Sequence, residues 1–319
     1  MEELRRSRSS AGLSIGVAQH RAGERASELM RRADGALYRA KAAGRGRSEL
    51  DAPARGSLAA DLAAALDAGV LTVHYQPLVR LADRRAVGVE ALVRWTDPVR
   101  GVLSPAEFVP VAEQAGLIGR LGEFVFDRAC REVAELCRRL GRPLLLSVNV
   151  SGAELTDPDY PARVQAVLDA TGWPAASTVL EVTETLVDAD SPAALRVLEL
   201  LRERGLQVAI DDFGTGWSAL SRLDALPADH LKLDRGFVSS ITTSERRARL
   251  VHSVVDLSHA VGLELVAEGV ETEAEAATLT AMGCRYAQGH LFGEAAPADV
   301  VARRLSASRP VPARPPAVR

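Results

Sequence analysis

The chain has 319 residues, 47% apolar and 25% charged, with a formal net charge of −3. That length fits one large domain plus a fragment, or two ordinary domains. The charge balance offers no footprint for duplex nucleic acid or an anionic membrane surface, and apolar runs such as 144–150 are too short to span a bilayer.

Residues 13–18 read as a short strand, and 26–43 as an amphipathic helix stopped by Gly44. One strand and one helix cannot bury a core alone, so residues 1–50 are either docked on the main domain or a remnant of something larger. Residues 51–56, with Pro53 and Gly56, read as a linker, and 57–305 as the main domain. Residues 306–319, rich in Pro, Arg and Ala, read as a disordered tail. In the main domain, strands at 71–79 and 85–92 suggest a hairpin across Ala82-Asp83-Arg84. Apolar runs then finish in polar residues near Glu90, Asn149, Glu181, Asp211, Lys232, Glu268 and Gln288, each followed by a helix-like stretch. Ser104-Pro105-Ala106-Glu107 has the pattern of a capping box, as do Thr272 and Glu275. Ser191-Pro192 opens another helix that Gly205 closes. Eight strands alternating with helices suggest a closed α/β barrel, with an open doubly wound sheet as the alternative. Cys130 and Cys137, two turns apart on one predicted helix, read as core residues. An odd set of three cysteines without an export signal fits a reduced, cytoplasmic protein.

In a barrel, functional residues occupy the C-terminal ends of the strands. The polar ends would then gather Glu90, Glu181, Asp211, Asp212 and Glu268 at one mouth, with Asn149, Lys232 and Gln288. So many carboxylates in a water-poor site need cations. Oxygen-only donors favour Mg²⁺ or Mn²⁺ over Zn²⁺. Two such ions sharing a carboxylate form a machine for splitting phosphate esters, and the Asp211-Asp212 pair suits the bridge. Taken singly, each residue has a plainer reading: a solvated loop carboxylate, a turn asparagine, a tight Asp-Asp-Phe-Gly turn. Lys232 stands out because it and Lys41 are the only lysines among 39 basic residues. A compact ammonium can donate to a bound hydroxide in a way that a guanidinium does not reproduce.

EALVRW at 90–95 resembles the signature of EAL-domain cyclic di-GMP phosphodiesterases. YQP at 75–77, NVS at 149–151, EVTE at 181–184, DDFGTG at 211–216, KLD at 232–234, AEGVE at 267–271 and QGHLFG at 288–293 follow in the family's order. The resemblance implies a modified TIM (β/α)8 barrel with one antiparallel strand. It implies Mg²⁺ or Mn²⁺, two ions per site, with Glu90, Asn149, Glu181 and Asp211 on one ion and Asp211 and Asp212 on the other. Lys232 would act on the attacking water, Glu268 on metal-bound water or as base, and Gln288 on the same network. Glu184 would support the loop after Asp212. Gln76, Arg94 and Asp234 would meet the substrate, cyclic di-GMP, whose hydrolysis gives linear pGpG. The alternative within the family is a catalytically silent receptor for the same nucleotide.

Trp217 and Ala219 depart from the family's usual Tyr and Ser in the loop that couples dimerisation to metal binding, where a homodimer would form. His290 replaces a frequent Tyr and reads as a buried or rim histidine. Residues 13–18 and 33–45 resemble the end of a GGDEF diguanylate cyclase domain without its signature. The fragment is therefore expected to lack cyclase activity and to continue a domain that begins upstream of Met1.

Overall fold

Alternation shapes the first long strand. In Thr72–Arg80 (β3), Val73, Tyr75 and Val79 are buried on one face, while His74, Gln76 and Leu78 are half-buried on the other. The strand belongs to a computed structural model that describes residues 14–17, 29–30, 33–34, 37, 41, 48–50, 57–184, 191–214 and 227–307. The chain divides into two units, Met1–Asp61 with Pro98–Gly101, and Leu62–Asp97 with Val102–Arg319. In the first unit, Ile15–Val17 (β1) pairs in parallel with Ser48–Leu50 (β2). The expected helix at 26–43 falls largely outside the described residues, and the linker at 51–56 wholly so.

The second unit carries the barrel. β3 pairs antiparallel with Arg85–Asp97 (β4), forming the hairpin read from the sequence. β4 is flanked in the sheet by the short Gly101–Leu103 (β5). Parallel pairing then runs from β4 through Leu145–Asn149 (β6), Thr178–Thr183 (β7), Gln207–Phe213 (β8), His230–Leu233 (β9) and Glu264–Ala267 (β10) to Tyr286–Gln288 (β11). β11 closes on β3, again antiparallel. The eight strands β3, β4 and β6–β11 thus form a closed barrel with one antiparallel member. The open-sheet alternative falls.

Strands in a barrel wall are covered on both faces, so they read as near-continuous apolar runs broken only where a polar side chain enters the mouth. Two apolar clusters seal the wall. One includes Leu146, Leu180 and Val208 with Val133, Leu168 and Leu198 from the outer helices Ile118–Leu140, Tyr160–Thr171 and Pro192–Glu203. The other includes Leu231, Leu265 and Ala287 with Val255 and Leu279 from Glu245–Val261 and Glu273–Ala281. Cys130 and Cys137 both lie on Ile118–Leu140, and Cys130 is fully buried. Helix starts obey the expected punctuation. Ser104 and Thr272 form capping boxes with Glu107 and Glu275, and Ser191 Oγ accepts from Ala194 N at 3.3 Å.

Two boundaries differ from expectation. β4 does not stop near Leu92 but runs on to Asp97; its pairing with β3 extends beyond the barrel wall as a ribbon as far as Arg94, opposite Thr72. Trp95, 1% exposed, anchors that extension edge-on against Phe108, with ring centroids 5.6 Å apart. The last helix, Ala298–Ala307, includes Ser306 and Ala307, which the composition had placed in the tail. Residues 308–319 lie outside the described residues.

Candidate active site

Each site residue is presented by an apolar run. Glu90 stands between buried Val89 and Ala91, Glu181 between Leu180 and Val182, and Lys232 between Leu231 and Leu233. The pleat sends these flanking side chains outward to the helices and the polar ones into the barrel. Glu90, Glu181 and Lys232 are respectively 7%, 2% and 3% exposed. Asn149 ends β6, Gln288 ends β11, and Glu268 follows β10 directly. Asp211 and Asp212 lie near the end of β8, where Asp212 adopts φ +55°. This left-handed conformation is one that Asp tolerates better than most residues. Glu90 is the exception to strand-end placement, because β4 continues past the mouth.

Lys232 is the centre of the cluster. Its Nζ lies 2.7 Å from Glu268 Oε1, 2.8 Å from Glu181 Oε2, 3.2 Å from Asp211 Oδ1 and 3.5 Å from Glu90 Oε2. Glu90 also accepts from Asn149 Nδ2 at 3.0 Å and from Gln288 Nε2 at 2.6 Å. Gln288 Nε2 donates as well to Gln76 Oε1 at 2.9 Å. Oxygens of Asp211, Asp212 and Glu268 approach within 4.8 Å of one another. Glu184, buried, accepts from the backbone N of Gly214 at 2.8 Å and so holds the turn after Asp212.

The electrostatics follow from crowding. Burial alone would lower the Lys232 pKa, but the surrounding carboxylates, Glu181 foremost, hold it well above the ordinary lysine value. Burial, followed by the Glu90 charge, pushes Glu181 well above the usual carboxylate range. Burial also pushes Glu268 up to about 7, with Lys232 pulling the other way. Burial opposes ionisation of Glu90, yet Lys232, Gln288 and Asn149 together hold it below the ordinary value. Asp212 is raised by burial and then by Asp211.

The donor set fits divalent cations. Five carboxylates face one ammonium, a formal excess of four negative charges only when all are ionised, and every donor near them is an oxygen or amide group. Hard divalent cations are the partners for such a set.

The expected substrate contacts are less gathered. Gln76 reaches the site through Gln288, and its Nε2 also donates to the Gly293 carbonyl at 3.5 Å. Arg94 lies on the ribbon of β4, where its Nη1 donates to the Val93 carbonyl at 2.9 Å; burial lowers its pKa. Asp234 caps the next helical turn, accepting from Gly236 N at 2.8 Å. His290 is exposed, a rim rather than a buried residue. Trp217 and Ala219 fall outside the described residues. Sequence reasoning missed Gly293, whose carbonyl has no side-chain signal.

Fold and site define a TIM-type barrel with an acidic, oxygen-donor mouth at the C-terminal ends of its strands. The chain belongs to the EAL domain family, whose model matches residues 59–295. It is 41% identical over 307 residues to an uncharacterized signaling protein of Caulobacter vibrioides, covering 94% of this chain and 38% of that protein. It is 39% identical over 294 residues to the bifunctional diguanylate cyclase/cyclic di-GMP phosphodiesterase MucR of Pseudomonas aeruginosa, covering 90% of this chain and 43% of MucR. The chain thus spans less than half the length of these relatives. Among solved structures, the MucR phosphodiesterase in complex with c-di-GMP matches with a TM-score of 0.72 and 39% identity, over 77% of this chain and all of that one. No described helix is long and apolar enough to cross a membrane.

Proposed function

We propose that the barrel hydrolyses cyclic di-GMP to linear pGpG, lowering the level of this messenger. The observation that carries the reading is the convergence of Glu90, Asn149, Glu181, Asp211, Asp212, Lys232, Glu268 and Gln288 at one mouth of an EAL barrel. The 39% identity to MucR, a cyclic di-GMP phosphodiesterase, supports the substrate. Glu90, Asn149, Glu181 and Asp211 would hold one Mg²⁺ or Mn²⁺ ion, and Asp211 and Asp212 a second; the gathering of five carboxylates around one ammonium supports two. Such ions supply Lewis-acid stabilisation of the phosphate and a nucleophilic water at neutral pH.

The protein's own groups do the rest. Lys232 Nζ is fixed among the carboxylates, so it donates a hydrogen bond that orients the attacking water oxygen. Glu268, whose Oε1 lies 2.7 Å from Lys232 Nζ and beside Asp211 and Asp212, is placed to take the proton of that water. The water oxygen bonds to phosphorus as the opposite P–O bond to ribose breaks, and the departing ribose oxygen takes a proton from solvent to leave as a hydroxyl. Gln288 and Asn149 keep Glu90 in place. Glu184 steadies the turn after Asp212. Arg94 meets a substrate phosphate, with Gln76 and Asp234 along the nucleotide.

Residues 1–50 are proposed to be the end of a GGDEF domain. The support is that MucR, whose name includes a cyclase, aligns over 90% of this chain. Homodimer formation through the loop after Asp212, and a cytoplasmic location, belong to the same proposal. The test is Glu90→Ala: turnover should vanish while the far-ultraviolet circular dichroism spectrum stays native. A folded Glu90→Ala variant that still turns over substrate would remove Glu90 from the machinery.

A further inference from the structure

We propose that the helical turn Arg235–Val238 is a spacer that sets the distance between the Asp211-Asp212 loop and the Glu268 loop, with Phe237 as its positioning residue. The inference rests on reading Asp211, Asp212 and Glu268 as cation ligands. The turn follows Lys232-Leu233-Asp234, so it leaves the strand that carries the central ammonium. It is pinned from below by Val238, which is fully buried in the second apolar cluster. It is capped by Asp234, whose carboxylate accepts from Gly236 N at 2.8 Å and whose carbonyl accepts from Phe237 N at 2.9 Å.

The two sides of this turn touch different site loops. On one side lies Gly214, two residues after Asp212. A Cβ at position 214 would fall 2.4 Å from Cε2 and 2.5 Å from Cζ of Phe237, so the ring lies directly on the Gly214 backbone. On the other side lies Gly269, the residue after Glu268. A Cβ there would fall 2.3 Å from the Cβ of Arg235. Both glycines have positive φ, +97° and +64°, so a side chain would be strained as well as obstructed. The glycines that follow Asp-Asp-Phe and Ala-Glu are therefore explained by what packs on them. Another close approach lies at a site strand end: a Cβ at Gly289, after Gln288, would meet the Val270 carbonyl oxygen at 2.2 Å.

Phe237 is the residue of the turn that meets the Asp211-Asp212 side, where Asp212 N also donates to Asp211 Oδ1 at 3.0 Å. Gly214 N donates to Glu184, and Phe213 is buried in the core. The Phe237 ring packs on Gly214, and the guanidinium of Arg247 lies 5.2 Å from its centroid. Asp212 holds its left-handed conformation only while its neighbours over-determine it. Removing the ring would free Gly214 to move and let the Asp212 carboxylate drift from Asp211 and Glu268. Groups that orient metal ligands cost ~10–100-fold in metal affinity when removed.

The experiment is calorimetric titration of Mn²⁺ into the full chain, with thermal melts alongside. Phe237→Ala should bind Mn²⁺ ~10–100-fold more weakly. Phe237→Tyr, which keeps the ring, should bind as the parent does. Leu279→Ala, a fully buried position in the same cluster but on the helix Glu273–Ala281, should melt lower with unchanged Mn²⁺ affinity. Should Phe237→Ala fail to fold, Phe237→Leu replaces it and should also bind more weakly than Phe237→Tyr. A folded Phe237→Ala or Phe237→Leu variant that melts lower but binds Mn²⁺ like the parent would make the residue merely structural and overturn the proposal. If the parent chain bound no Mn²⁺, the ligand reading itself would fall, a result distinct from equal binding by parent and variant.

Discussion

Replacing Lys232 with methionine keeps most of the side-chain volume and removes the charge. In the structure that charge lies between 2.7 and 3.5 Å from four carboxylates and is 3% exposed. Breaking a buried charge cluster from one side costs ~3–5 kcal/mol, because the remaining charges lose their partner. Without added metal, Lys232→Met should therefore melt lower than the parent at neutral pH. Divalent cations should restore much of the difference, since they neutralise the same carboxylates. The variant should bind Mn²⁺ at least as tightly as the parent, because a competing positive charge has gone. Turnover should behave differently: kcat should fall by ~10² or more, the scale for losing a positioned polar or proton-transfer group. Lys232→Arg should not rescue it, because a planar guanidinium cannot occupy the place of a compact ammonium among four close carboxylates. The assays are steady-state kinetics with cyclic di-GMP and calorimetric Mn²⁺ titration of parent and both variants. Near-normal kcat in Lys232→Arg, or weaker Mn²⁺ binding in Lys232→Met, would refute this account of the lysine.

Glu268 is a carboxyl raised from its ordinary 4.5 to about 7, so the folded chain binds its proton more tightly than the unfolded chain does. Its contribution to metal-free stability is therefore present at low pH and is lost as pH rises from ~4.5 towards 7. Glu268→Gln should flatten that part of the stability profile in thermal melts with chelator, and an unchanged slope would contradict the shift. A chain beginning at Ser57 should keep full turnover. Synthesis of cyclic di-GMP from GTP by the whole chain would show that the N-terminal reading is wrong.

The sequence made the barrel legible for a physical reason. A strand covered on both faces is nearly all apolar, so Glu181, Asp211, Lys232 and Gln288 stand out where they break such runs. Glu90 broke its run too, yet its strand does not end there. β3 and β4 continue as a ribbon that Trp95 and Phe108 hold, and that extension reads in sequence like any loop with scattered apolar residues. The hydrogen bonds from Gln288 and Asn149 to Glu90 join residues far apart in the chain, and only barrel closure brings them together. Contacts such as Phe237 on Gly214 leave no periodic trace at all. They depend on how loops from neighbouring strands meet, which neither propensity nor spacing encodes. Among the N-terminal residues, the described strand β1 was legible from its apolar pattern, whereas its pairing with β2 was not.

The most direct test of the account is turnover itself. The purified chain is incubated with cyclic di-GMP in Mg²⁺ or Mn²⁺, and separately with chelator, and products are resolved by chromatography and mass spectrometry. Metal-dependent conversion to linear pGpG is expected, with one ring phosphodiester opened and one oxygen taken from solvent water. Binding of cyclic di-GMP with no hydrolysis in saturating Mg²⁺ or Mn²⁺ would contradict it and make the barrel a receptor.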